Sequence, residues 1–134
     1  MTDLDRPLVI FAEALFMHTV MVDRYGGGIG VRDHGLVESA LHRPLSAFGG
    51  RLQYRTPFHR AAVLWLGLVK NHGFVDANER TATMAMQLWL EREGFVLDAR
   101  DEELVAQAVA VADDQTSVEG LAAWLESRAK AAEQ

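Results

Sequence analysis

Apolar residues recur at helical spacing in several stretches of the chain, and two of these stretches flank a short polar segment. In the first stretch, residues 57–71, one helical face carries Phe58, Ala61, Leu64, Trp65 and Leu68. The second stretch, residues 80–93, is apolar on nearly every side, which is typical of a helix surrounded by other parts of the protein. The pattern therefore predicts an all-α domain, a compact helical bundle around a central apolar helix.

Polar residues and glycines indicate where these helices begin and end. Thr56 is a favourable N-cap, and Pro57 suits the first helical position, where a missing N–H is not needed. Gly73 is expected to end this helix. Asp33 and Ser117 are N-cap candidates for two further helices.

The N-terminal part of the chain also has an apolar stretch, residues 8–22. Asp3 and Asp5 precede it, and Glu13 and His18 interrupt it, so we predict a core helix rather than a targeting segment or a membrane span. His18 is interpreted as a polar residue that is satisfied at the edge of the core. The glycine-rich stretch that follows has no strand before it, which favours a flexible turn over a nucleotide-binding loop.

The chain after the second apolar stretch has the pattern of two more helices. Gly94 is a predicted C-cap, and residues 95–97 are predicted to be extended. Acidic residues at 101–103 suit the start of a helix. Its buried face is predicted to contain Leu104, Val105, Ala108, Val109 and Ala112. The tail at residues 130–134 is expected to fray.

Composition and charge narrow the class of protein. The 134 residues fit a single domain, 1–134, and 49% apolar and 24% charged residues are ordinary for a globular chain. The net charge of −6 argues against direct binding to nucleic acid, which needs clustered Lys and Arg. The absence of cysteine excludes a disulfide framework and suits a reducing cytoplasm.

The polar segment between the two apolar helices concentrates chemically versatile side chains. An imidazole is suited to proton removal near neutral pH, and His72 supplies one. A lone carboxylate such as Asp76 suffices for Mg²⁺ when phosphates and water complete the shell. A simpler interpretation remains open, in which Asp76 and Glu79 form a capping box, His72 stabilises a helix end, and Arg80 is a surface ion-pair partner.

Residues 72–82, with the pattern His-x-Phe-x-Asp-Ala-Asn-x-Arg-Thr-Ala, resemble the signature of the Fic/Doc superfamily. The resemblance is closest to the Doc (death on curing) toxins of toxin–antitoxin modules. It extends to His18, to the run Arg24-Tyr25-Gly26-Gly27, to Asp33 and to residues 36–40, which match Doc proteins in order and spacing. The resemblance implies a Fic/Doc-type helical bundle, in which residues 44–56 form a short β flap beside the active site. The alternative is that residues 44–56 form a plain surface loop.

The resemblance also implies roles for individual residues. His72 would be the general base, and Asp76 would hold Mg²⁺ against the phosphates. Phe74 would be buried and would pin the loop. Arg80 would matter for catalysis as much as the base. The phosphate oxygens of the nucleotide would be held by Ala77, Asn78, Glu79 and Arg80.

The activity implied by the resemblance is transfer of phosphate from a nucleoside triphosphate, ATP, to a Ser or Thr hydroxyl of a protein. Elongation factor Tu would be the target, growth arrest the outcome, and an antitoxin whose C-terminal segment covers the site the inhibitor. Two positions depart from the family pattern: Glu79 stands where Doc kinases have Lys, and Thr83 where adenylylating Fic proteins have a second Arg. Thr83 matches the Doc proteins and argues against AMP transfer, whereas an acid at 79 should repel the phosphates that Lys would attract. The alternatives are a Fic-type adenylyltransferase and, because of Glu79, a catalytically impaired binding module.

Overall fold

The computed structural model describes residues 4–133, and these residues fold mainly into α-helices. In chain order the helices are α1 (Phe11–Tyr25), α2 (His34–His42), α3 (Pro57–Asn71), α4 (Asn78–Arg92), α5 (Asp101–Ala112) and α6 (Val118–Arg128). The strands are β1 (Ala47–Phe48), β2 (Arg51–Leu52), β3 (Phe95–Leu97) and β4 (Ala129–Ala131). The prediction of an all-α bundle is confirmed.

Two helices share the centre of the bundle. Helix α3 packs against α2, α4, α5 and α6, while α4 packs against α1, α3 and α5. Trp65 on α3 and Trp89 on α4 are fully buried, as expected for core anchors. The indole N–H of Trp65 donates to the Thr83 hydroxyl at 3.1 Å, so the polar group of this buried side chain has a partner on α4.

The predicted N-caps are confirmed. The Thr56 hydroxyl accepts from the backbone N–H of His59, the Asp33 carboxylate from that of Leu36, and the Ser117 hydroxyl from that of Gly120. Each cap satisfies one of the N–H groups that a helix leaves free at its start. Helix α1 forms as predicted but lies about three residues further along the chain than the apolar stretch that indicated it.

Two predictions for the C-terminal part are wrong. The tail was predicted to fray, but β4 pairs antiparallel with β3, with Lys130 opposite Val96. Gln134 lies outside the described residues. On α5 the buried residues are Leu104, Ala108 and Val111. Val105 and Val109 are 54% and 47% exposed, so the apolar face is narrower than the sequence indicated.

Residues 44–56 include the short β hairpin that the family resemblance implied. Strands β1 and β2 pair antiparallel, and we call residues 47–52 the flap. Just after the flap, the backbone carbonyl of Tyr54 accepts from Nη1 of Arg60 at 2.9 Å. The Arg60 side chain also forms a buried ion pair with Glu93 at the end of α4, which connects the base of the flap to the core.

Within residues 4–133, none of the helices combines the length and apolar character that crossing a membrane requires.

Candidate active site

The polar segment forms a loop, residues 72–77, which we call the motif loop, between the C-terminus of α3 and the N-terminus of α4. Helix α3 ends at Asn71, and His72 adopts left-handed backbone angles, with φ 49° and ψ 47°. The expectation that Gly73 ends the helix is therefore wrong. Glycine is needed at 73 for another reason: a Cβ there would overlap with a methyl carbon of Val37 on α2.

Phe74 is buried and is held at both of its backbone polar groups. The side-chain oxygen of Asn78 accepts from the N–H of Phe74, and the side-chain nitrogen of Asn78 donates to the Phe74 carbonyl, both at 3.1 Å. Asn78 itself is only 6% exposed. In this structure its amide therefore closes the loop onto the first turn of α4.

His18 packs against the ring of Phe74. The two rings stack with centroids 4.4 Å apart, and Nε2 of His18 accepts from the backbone N–H of Gly30 at 2.9 Å. The imidazole is fully buried, so the prediction that it lies at the edge of the core is wrong. Burial lowers the pKa of His18, and the nearby charge of Asp76 only partly opposes this shift, so the ring stays neutral.

Residues 26–33, which we call the glycine segment, run alongside the motif loop. The N–H of Val75 donates to the Gly30 carbonyl at 2.9 Å, and Val31 forms a β-bridge with Phe74. The prediction of a flexible turn is therefore wrong. A Cβ on Gly28 would approach a methyl carbon of Val75 to 2.9 Å, so a glycine at this position permits the close approach of the two segments.

Asp76 is exposed at the end of the motif loop, and backbone N–H groups hold its carboxylate. One oxygen accepts from Ala77 at 2.9 Å and the other from Gly28 at 3.2 Å. These two bonds lower the pKa of Asp76, and the positive charge of Arg80 adds to the effect. The carboxylate is thus ionised at neutral pH and keeps unused lone pairs, which fits a ligand of Mg²⁺.

Helix α4 begins at Asn78, and its N-cap is Ala77, in a left-handed conformation with φ 59°. The capping-box interpretation, with Asp76 as N-cap and Glu79 reaching back to it, is wrong. The first N–H groups of α4 have no partners within the helix and carry its partial positive charge. This helix end can accept a phosphate group.

Arg80 and Glu79 lie on the first turn of α4. The Arg80 guanidinium lies 4.3 Å from the ring centroid of Tyr25, at the end of α1, in a cation–π contact. Across the part of the chain that the structure describes, the Glu79 carboxylate has no hydrogen bond or ion pair. The Glu79 carbonyl accepts from the Thr83 hydroxyl at 2.7 Å, which commits that hydroxyl to the helix.

The structure brings some of the predicted site residues together. Asp76 and Arg80 are close enough to interact electrostatically. The His72 imidazole is exposed at the opposite end of the motif loop and, among the described residues, makes no hydrogen bond to either of them. Sequence reasoning did not assign a role to Tyr25, which contacts Arg80, or to Arg32, which binds the His72 backbone. Tyr25 belongs to the matched run Arg24-Tyr25-Gly26-Gly27 at the end of α1, whereas a lone arginine such as Arg32 gives no signal in a sequence.

Comparison with known proteins agrees with the sequence resemblance. The model of the Fic/DOC family matches residues 10–90, which include the glycine segment and the motif loop. The chain is 35% identical over 114 residues to "Toxin Doc" of Mycolicibacterium smegmatis, covering 81% of this chain and 85% of that protein. It is 30% identical over 118 residues to "Protein kinase doc" of Escherichia phage P1, covering 82% of this chain and 86% of that protein.

Proposed function

This chain belongs to the Fic/Doc family, and on that premise we propose that it is a toxin of the Doc type that acts as a phosphotransferase. The reaction would move the terminal phosphate of ATP to a Ser or Thr hydroxyl of a protein target. The similarity to one relative named as a toxin and another named as a protein kinase supports this proposal.

The observation that carries the proposal is the placement of Asp76 directly before the positive end of α4. Two backbone N–H groups keep its carboxylate ionised, and the Arg80 guanidinium interacts with it. Asp76 would hold Mg²⁺, which would neutralise charge on the phosphates. A fixed carboxylate, an arginine and a helix N-terminus together form a site for a polyanion.

Each remaining residue would contribute positioning or proton transfer. His72 would take the proton from the target hydroxyl as the oxygen forms a bond to the terminal phosphorus and the bond to ADP breaks. Arg80 would stabilise negative charge on the transferred group. The backbone N–H groups between Ala77 and Arg80 would bind phosphate oxygens, with the side chain of Asn78 keeping the loop in place for them.

Glu79 supports a second candidate function. Its carboxylate lies on the first turn of α4, where it repels the phosphates that a lysine would attract. The alternative is therefore a Fic/Doc-like module that binds a partner and transfers nothing. Isothermal titration with Mg-ATP separates the two functions: absence of binding by the wild type, together with binding by Glu79→Lys, would support the module.

Adenylyl transfer is less well supported. The second arginine that the family resemblance associates with AMP transfer is replaced by Thr83, whose hydroxyl is engaged by Trp65 and by the Glu79 carbonyl. We propose that the group transferred is phosphate. A mass spectrum of the target after incubation distinguishes the two groups directly.

The proposed partners follow from the same family relationship. An antitoxin would inhibit the protein by covering the motif loop with its C-terminal segment, and a translation factor, elongation factor Tu, would be the target. The flap would present a main-chain edge to the target segment.

The proposal is tested by incubating the protein with Mg-ATP and purified elongation factor Tu and measuring the phosphorylated product. We expect His72→Ala to reduce transfer by about 10²- to 10⁴-fold, because general-base catalysis contributes on that scale. Nucleotide affinity and thermal stability should stay close to the wild-type values, since the imidazole makes no hydrogen bond within residues 4–133. His42→Ala, on the exposed end of α2, is the matched control. If His72→Ala transfers phosphate at the wild-type rate, His72 is not the general base.

A further inference from the structure

Three consecutive carbonyl groups at the end of α3 accept hydrogen bonds from the chain just before α2. Nε of Arg32 donates to the His72 carbonyl at 2.7 Å, and Nη2 donates to the Asn71 carbonyl at 3.1 Å. The backbone N–H groups of Arg32 and Asp33 both donate to the Gly73 carbonyl, at 2.8 and 3.0 Å. Arg32 thus holds the backbone at His72 and on both sides of it.

The backbone of His72 is in a conformation that a residue with a Cβ rarely adopts. Its left-handed angles bring Cβ close to the following carbonyl, and single residues keep such angles only where surrounding contacts enforce them. The next residue, Gly73, packs closely against Val37 on α2. The direction of the His72 side chain therefore depends on contacts to its own backbone.

We propose that Arg32 is a positioning residue for His72, an inference that rests on the proposed function of His72 as the base. The planar guanidinium donates in two directions at once and so bridges two carbonyls. Its positive charge also suits the negative end of α3. Within the described part of the chain, Arg32 makes no hydrogen bond to residues 76–80, so its influence should fall on the base and not on nucleotide binding.

Steady-state kinetics of phosphate transfer test the proposal with the variants Arg32→Lys and Arg32→Ala. We expect kcat to fall by about tenfold to hundredfold in both, since a misplacement of about 1 Å can have an effect of that size. KM for ATP should stay unchanged. Lysine keeps the charge but cannot bridge the two carbonyls. The control is Arg92→Lys, because Arg92 also donates to a backbone carbonyl, that of Leu8, but lies at the opposite end of α4.

Backbone chemical shifts of His72, measured by NMR, give a readout that needs no activity. In both Arg32 variants we expect the shifts to leave the left-handed range, while thermal melts confirm that the variants are folded. Left-handed shifts that persist would overturn the proposal, and so would a rise in KM at unchanged kcat, which would make Arg32 a nucleotide ligand. If the wild type transfers no phosphate, the proposed function fails, but the NMR result still decides whether Arg32 positions His72. If Arg32→Ala does not fold, Arg32→Lys decides.

Discussion

Arg60 and Glu93 form an ion pair that is nearly closed off from water, with side chains 7% and 4% exposed. Arg60 donates to the two carboxylate oxygens at 2.9 and 2.8 Å, and the indole N–H of Trp89 donates to one of them at 2.9 Å. We predict that Glu93→Gln is strongly destabilising. The amide keeps the size of the side chain, but it leaves the buried guanidinium without a counter-charge and directs an NH₂ group at other donors.

The expected loss is about 3–5 kcal/mol in the free energy of unfolding, the usual consequence of removing one partner from a buried pair. For a chain of this size, that loss corresponds to a fall in Tm of roughly 10–20 °C. Urea unfolding followed by circular dichroism measures the first quantity, and a thermal melt measures the second. The double variant Arg60→Met/Glu93→Leu should recover part of the loss, because it removes both charges together.

The matched control is the pair between Glu13 and Arg92, which has the same chemistry but side chains 30% and 38% exposed. Glu13→Gln should change the free energy of unfolding by about 1 kcal/mol or less, because water screens an exposed pair. Both substitutions remove the charge of a glutamate that is paired with an arginine, and burial is the main difference between the two sites. If Glu93→Gln costs no more than Glu13→Gln, the reasoning from burial is refuted.

Two further predictions concern the surroundings of the motif loop. Gly27→Ala should destabilise the fold and weaken Mg-ATP binding, because the new Cβ would lie 2.8 Å from the Asp76 carboxylate. Urea unfolding measures the first effect and titration calorimetry the second. The control is Gly26→Ala, because Gly26 also has a positive φ but has open space around it. Burial lowers the pKa of His18 in the folded protein. The contribution of the neutral imidazole to the free energy of unfolding is therefore complete above the unfolded pKa of about 6.5. This contribution is lost as the pH falls below that value, because the unfolded chain then takes up a proton that the folded protein does not. Urea unfolding at pH 7.5 and 5.5 should show a larger loss for the wild type than for His18→Gln, and equal losses would contradict this assignment.

The features that could be predicted from the sequence are those set by neighbouring residues. The Thr56 and Ser117 caps each bind an N–H group three residues ahead in the chain, so a local pattern contains both partners. The helical face of α3 is equally local, because its apolar residues follow the helix period. Most of the helices were predicted for this reason.

The errors came from contacts between distant parts of the chain. Asp76 had the spacing of an N-cap, but its carboxylate binds the N–H of Gly28, and α4 starts later than the capping pattern suggests. The tail at residues 130–134 was expected to fray, yet residues 130 and 131 belong to β4, whose backbone hydrogen bonds to β3 do not depend on apolar side chains. The roles of His72 and Arg80 in catalysis remain predictions, although the contacts around both residues are now known.

The motif loop is held by Asn78 at one end, by Arg32 at the other and by the glycine segment along its side. A ligand that binds to such a preorganised loop does not have to order its backbone. The conformational entropy whose loss usually opposes binding is instead largely lost during folding. The heat capacity change of nucleotide binding should then be small, as expected when only the contact surface itself is dehydrated.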